Sequence, residues 1–494
     1  MSTLYPESQS DYSSYQAAMN EEFDRILKNC KDHFSLICSL ANADFDDHAF
    51  IAANSGRILP HPGKPHSIRC IALYHSSVSQ DGVGRVLSIL SGVLAGRYKV
   101  ILITDEGAEP DHFEIPPTVM RASIPSFNDC TGYYERRGSA LNHLITSEKI
   151  DAFIYATWDS EHLLWDMLCI KACDRHPAFF LHIHNFCAYI WRRHDDIVRN
   201  TWKPFSLADG VITMSEADHT YWHFVNPNTY MIPNPAEARI PGSKNSLHEG
   251  PHHILWIGRI AEQKQPLEMV RIMKQVVRFL PDTICHMAGD GSADQKAKLK
   301  AYIRECALGK NIILEGYRED TESLYRNADI FVSTSDHEAF PMTFMESASY
   351  GIPTVAYDLP WLEYFTIIDG WEVTDQYDAA KAAEIIVHLL SDGLEWEDRS
   401  NRIFDSFRKF QTCDIGEEWA KVFADYEKGT SPEYSADSEM IGLLLDQTVR
   451  FHSREVMQSR KMLEDVYRSA SWRIGNTIVQ PLHLIRSLLK KINN

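Results

Sequence analysis

The chain has 494 residues, a formal charge of −19, and 44% hydrophobic, 24% charged and 11% aromatic side chains. That length points to two or three domains with large cores and excludes a small disulfide-stapled scaffold, while the composition excludes a disordered or fibrous chain. So acidic a protein is a poor partner for nucleic acid, so none is expected, and any basic site must be local. The start, through Ser10, is polar and acidic where a secretory signal is basic and then apolar. No run approaches the roughly 18 apolar residues of a membrane span, and a cytoplasmic setting is expected. The ten cysteines, scattered between Cys30 and Cys413 without repeated spacing, fit a reduced interior better than a disulfide framework or metal site.

Residues 1–65 have apolar residues at helical spacing and end in the Pro/Gly-rich stretch 61–65, a helical N-terminal extension with a linker. From residue 68 onward, short apolar strands alternate with amphipathic helices. Strands are predicted at 68–74, 100–104, 152–155, 179–183, 211–213 and 230–232, with a helix at 83–95, and together they define a domain over 66–235. The pattern breaks at 233–250. A second series, with strands at 254–257, 283–287, 312–314, 330–333 and 354–356, defines a domain over 251–430. Residues 437–494 read as a long helix with a basic tail. The expected fold class is α/β, with two doubly wound parallel sheets and a ligand cleft at the carboxyl ends of their strands.

Three segments carry chemistry. In Ser79-Gln-Asp-Gly-Val-Gly-Arg85, Gly82 and Gly84 open a helix after a strand, so free N–H groups can meet an anion there; a plain tight turn satisfies the same pattern. In Ile257-Gly-Arg-Ile-Ala-Glu-Gln-Lys264, Arg259 and Lys264 lie on a strand-to-helix loop, where a guanidinium fork and an ammonium suit a diphosphate. This is the local basic site that an acidic chain needs for an anionic ligand. In the segment from Ser335 to Gly351, Glu338 precedes a helix opened by Pro341, and Glu346 lies inside it. The two carboxylates can accept from sugar hydroxyls while the N–H groups of Met342 and Thr343 face a phosphate or the sugar.

Gly258-Arg259 with Lys264, Gly289-Asp-Gly291, Glu338 with Glu346, and Tyr350-Gly-Ile-Pro353 together resemble the retaining glycosyltransferases of family 4, bacterial cell-envelope type, over about residues 68–423. The resemblance implies the GT-B fold, two Rossmann-like domains facing a cleft, the first toward the acceptor and the second toward the donor. It implies that Arg259 and Lys264 bind the donor diphosphate, that Glu338 contacts the donor sugar, that Glu346 binds the ribose, and that the backbone of Phe340, Pro341, Met342 and Thr343 touches sugar and phosphate. In Leu181-His-Ile-His-Asn185, strand alternation puts His182 and His184 on one face. His184 resembles the family's active-site histidine, and His182 reads as a packed core side chain. No metal and no cofactor are expected.

Ala339 and Gln265 depart from the family pattern, which usually has Gly at both places. Glu363, after the next strand, is a weaker site candidate, and Asp44-Phe-Asp46 carries no preceding strand that would make it a metal motif. The tail, with Arg468, Arg473, Arg486, Lys490 and Lys491 among apolar residues, suits an anionic membrane surface, where lipid-linked acceptors are held, or a protein partner. The implied activity is retaining transfer of a hexose-type sugar from a nucleotide diphosphate, UDP before GDP, to a cell-surface glycan or lipid-linked acceptor. A nucleotide-sugar epimerase of the same fold and a non-catalytic partner subunit are the alternatives.

Overall fold

The computed structural model describes residues 67–79, 81–126, 133–158, 160, 163–187, 204–235, 244–359, 369–411 and 413–434. All lie in the first of two compact units, Met1–Ala436. The predicted extensions at 1–65 and 437–494, with Asp44, Asp46 and the basic tail, lie outside the described residues, as does Glu363.

Two parallel sheets carry the fold. The first contains β1 (Cys70–Tyr74), β2 (Lys99–Asp105), β3 (Met120–Ile124), β4 (Ala152–Tyr155), β5 (Ala178–His182), β6 (Gly210–Thr213) and β7 (Thr229–Met231), in the order β3-β2-β1-β4-β5-β6-β7. The second contains β8 (His253–Ile257), β9 (Ile284–Ala288), β10 (Ile312–Gly316), β11 (Ile330–Ser333), β12 (Thr354–Tyr357) and β13 (Trp371–Thr374), in the order β10-β9-β8-β11-β12-β13. Central strands such as β1, β4 and β5 are buried at every residue, because helices cover both faces, and so they read as unbroken apolar runs. In each sheet the order turns back on itself beside the first strand. The crevice there opens between β1 and β4 in one domain and between β8 and β11 in the other, where doubly wound sheets bind ligands.

Two strands escape the sequence reading, β3 and β13, and both are sheet edges. β3 exposes Met120, Arg121 and Ser123, and β13 exposes Val373, so neither presents the apolar run of an inner strand. A second difference concerns the domain boundary. The helix Ile415–Lys428 falls in the predicted second domain, yet its Trp419, Val422, Phe423 and Tyr426 share a core with Leu73, Leu90 and Phe180 of the first. Glu427 accepts from the Ile68 N–H at 2.5 Å, closing the start of the first domain against that helix. The second domain therefore ends before Ile415. At its other end, Asn245 donates to the carbonyls of Tyr325 and Ala328, so the linker from 244 packs on the second domain.

Candidate active site

Four helices matter here: α1 (Gly82–Ala95), α2 (Pro266–Val276), α3 (Met342–Ser349) and α4, the Ile415–Lys428 helix above. After β8 the chain turns through Gly258 and Arg259 into a short 3-10 segment, Glu262–Lys264, and then α2. A Cβ on Gly258 would stand 3.2 Å from the Lys264 side chain, so the lysine stem lies over that glycine. Gly289, at φ +141°, follows β9 with its would-be Cβ 1.9 Å from the Gly258 carbonyl oxygen, and a Cβ on Gly291 would stand 2.4 Å from the Ile260 carbonyl oxygen. These glycines let two loops back onto each other, which is what the spacing of Gly258, Gly289 and Gly291 encodes. Gln265 sits at φ +46° in the left-handed region, which explains why Gly suits that place. Ala339 is not among the described positive-φ residues, so its Cβ is accommodated without strain.

Lys264 Nζ donates to Glu338 Oε1, and Ser335 Oγ donates to the same oxygen at 2.6 Å. Glu338 is thus a buried carboxylate beside a cation, at the carboxyl end of β11. Arg259 is exposed and donates to Gln263 Oε1 at 3.0 Å. Gln263 joins the two loops, because its Nε2 donates to the His337 carbonyl and its own carbonyl accepts from the Asp336 N–H. Gln376 supports the same loop from behind, donating to the carbonyls of Ser335 and Asp358. Arg259, Lys264 and Glu338 are therefore brought together at the switch point of the second sheet. Sequence reading missed Gln263 and Gln376, which have no charge and no motif to mark them.

Among the described residues, six helices have an N-terminus closed by a side chain, from Asp81, Ser215, Ser292, Asp378, Asp392 and Asp414. α2 and α3, which start at this site, have no side-chain cap. Pro341 stands one place before α3 rather than at its first position, so the helix opens at Met342 and Thr343 with its positive end toward the Glu338 loop. Phe340 is buried, with its ring 6.2 Å from that of Phe410; the side chain serves packing and leaves only the backbone for a ligand.

In the first domain the picture around Gly82 and Gly84 differs from a free anion site. Asp81 caps α1 and accepts from the Gly84 N–H at 2.7 Å, so that N–H is committed to a carboxylate. Gly84 is needed for another reason: its would-be Cβ lies 2.5 Å from the Ser79 carbonyl oxygen. Gly82 has open space around it. The residue that reaches across is Arg85, whose Nε lies 3.4 Å from Glu346 Oε1. Its signal was a cation directly behind the glycine pair.

β5 ends at His182, and the His182 and His184 rings pack with centroids 4.0 Å apart and planes tilted by 53°. Burial pushes the His182 imidazole down to about 3. Burial, then the rings of His182 and His75, hold His184 well below the ordinary imidazole range, so both are neutral at pH 7. His182 lies in the core with its ring edge-on to Trp419 at 5.5 Å. His184 Nε2 is buried and has no hydrogen-bond partner among the described residues, which leaves one nitrogen for a ligand. Among those residues no three His, Cys, Asp or Glu side chains are grouped to hold a metal ion. No helix among them is long and apolar enough to cross a membrane.

Known proteins are similar to parts of this chain. The chain is 28% identical to the poly(glycerol-phosphate) α-glucosyltransferase of Bacillus subtilis over 200 residues, 40% of this chain but only 28% of that protein's length. It is 22% identical to an α-1,4-N-acetyl-D-galactosaminyltransferase of Campylobacter jejuni, whose name gives a saccharide on diphospho-undecaprenol as acceptor; the match covers 72% of this chain and 98% of that one. The solved structure of a TarM variant from S. aureus with UDP superposes at a TM-score of 0.58 and 12% identity, covering 72% of this chain and all of that one. The fold is GT-B, and residues 242–404, the second domain with Arg259, Lys264, Glu338 and Glu346, match the family of glycosyl transferases group 1.

Proposed function

We propose that the protein is a retaining glycosyltransferase that moves a hexose-type sugar from a nucleotide diphosphate sugar, UDP rather than GDP, to a cell-surface glycan or lipid-linked acceptor. The observation that carries this reading is the Lys264–Glu338 pair, with Arg259 on the same loop as Lys264, where the two uncapped helices α2 and α3 begin at one switch point. Arg259, Lys264 and the N–H groups of Met342 and Thr343 suit the diphosphate. Glu338 suits the hydroxyls of the sugar, and Glu346 those of the ribose. UDP is favoured because the TarM structure of like fold holds it, and an α-linked product because both curated relatives are named as α-transferases.

In the reaction, the bond between the sugar C1 and the β-phosphate oxygen breaks and its electron pair stays on that oxygen. The two cations and the α3 dipole meet the charge as it develops, which is preorganised electrostatic stabilisation. The acceptor oxygen bonds to C1 on the face that the phosphate leaves, and its proton passes to the departing phosphate oxygen. His184, neutral and with no hydrogen-bond partner for Nε2 among the described residues, offers a hydrogen bond to the sugar from the first domain. A second reading, contact of the tail with an anionic membrane, places the enzyme beside a lipid-linked acceptor.

The test is nucleotide release from a panel of nucleotide sugars, with and without acceptor glycans. Release that depends on acceptor is expected; conversion of the sugar without acceptor would make the protein an epimerase, and no turnover of any donor a partner subunit. Arg259→Ala and Lys264→Ala should each lower kcat by about 100- to 1,000-fold, the scale of one lost transition-state contact. Near-normal rates in both would remove the site assignment.

A further inference from the structure

Among the described residues, side chains from both domains reach Glu346. Tyr325, on the short helix Glu322–Arg326 of the second domain, donates its hydroxyl to Glu346 Oε2 at 2.7 Å. Arg85, in the first turn of α1 on the first domain, faces Oε1 with its Nε at 3.4 Å. Both side chains of this ion pair are 22% exposed, so it lies in the seam rather than on open surface. The guanidinium is itself steadied by the Phe113 ring, 5.5 Å from its centre, and the neighbouring His112 ring meets Tyr317 of the second domain at 5.1 Å.

A carboxylate reads a vicinal diol when both of its oxygens lie in one plane with the two hydroxyls. Oε2 turned toward a phenol and Oε1 toward a guanidinium constrain that plane, and the guanidinium belongs to the other domain. We infer that Arg85 is a cross-domain positioning residue, which orients Glu346 so that the ribose of the nucleotide is read only when the first domain is seated against the second. The inference rests on the reading of Glu346 as the ribose residue.

Titration calorimetry of the full chain with UDP, with 2′,3′-dideoxy-UDP and with GDP separates the possibilities. The wild type should prefer UDP to its dideoxy analogue. Arg85→Ala should weaken UDP by about tenfold, within the range of couplings between neighbouring residues, and leave the dideoxy analogue unchanged. Arg85→Lys should recover part of the preference, because the charge remains at a shorter reach. Equal weakening of both ligands in Arg85→Ala would make the residue a structural or phosphate-binding one, and no change in either would make the ion pair irrelevant; each overturns the inference. Glu346→Ala should erase the preference. If it keeps the preference, or if the wild type binds neither UDP nor GDP, the ribose reading fails first and the inference falls with it.

Discussion

Asp218 shows how one buried side chain can tie the first-domain side of the site to pH. Its carboxylate accepts from the Cys187 N–H at 2.5 Å and from Ser215 Oγ at 2.8 Å, so it anchors the loop that carries His184 and Phe186. The Phe186 ring in turn meets His337, next to Glu338, at 5.8 Å. Burial pushes the Asp218 carboxyl up to about 6 from 3.8, against those hydrogen bonds. Between these two values the folded chain keeps a proton that the unfolded chain has lost. Stability from this group is therefore full below pH 3.8 and is lost as pH rises through about 6, by up to about 3 kcal/mol at some 1.4 kcal/mol per pH unit. Asp218→Asn keeps an acceptor for Cys187 and removes the titration. Urea unfolding at pH 4 and at pH 7 should show the variant gaining on the wild type only at the higher pH; an equal difference at both would mean that the carboxyl does not titrate in this window.

At the scale of elements, most inner strands and the two strand-to-helix loops of the second domain were legible in the sequence, because each is a local pattern. Lys264, six residues beyond Gly258, and Glu338, three beyond Ser335, sit where their loops put them. What was not legible depends on neighbours distant in sequence. β3 and β13 are edges with exposed residues, Asp81 takes the Gly84 N–H that glycine spacing suggests for an anion, and Gln263 acts by bonding to His337, 74 residues away in the chain. Gly289, by contrast, was legible as part of Gly289-Asp-Gly291, and it makes the sharpest of the long-range contacts. At φ +141°, with a Cβ placed 1.9 Å from the Gly258 carbonyl oxygen, Gly289→Ala must push the β8 loop, backbone against backbone. It should cost on the order of 2 to 3 kcal/mol in denaturant unfolding and displace Arg259 and Lys264, so that nucleotide affinity falls as well. An alanine variant of unchanged stability and affinity would mean that the loops separate at little cost.

For the whole described unit, the feature with most consequence is α4, which follows the second domain in sequence and packs on the first in space. Its amphipathic pattern marks a helix, but nothing local says which sheet it covers. Trp419 is fully buried there, among Phe180, Phe423 and the His182 ring. Trp419→Ala should cost about 3 to 5 kcal/mol, the range for a large aromatic removed from a core, with Trp419→Phe as a milder variant. Because the His182 ring packs against that of His184, the damage should reach the first-domain side of the site and spare Arg259, Lys264, Glu338 and Glu346, which lie on the loops and helices of the second sheet. Turnover with acceptor should therefore fall more than UDP affinity does in Trp419→Phe. If the two fall in parallel, α4 stabilises both domains as one body, and the division of labour between an acceptor side and a donor side does not hold at this helix.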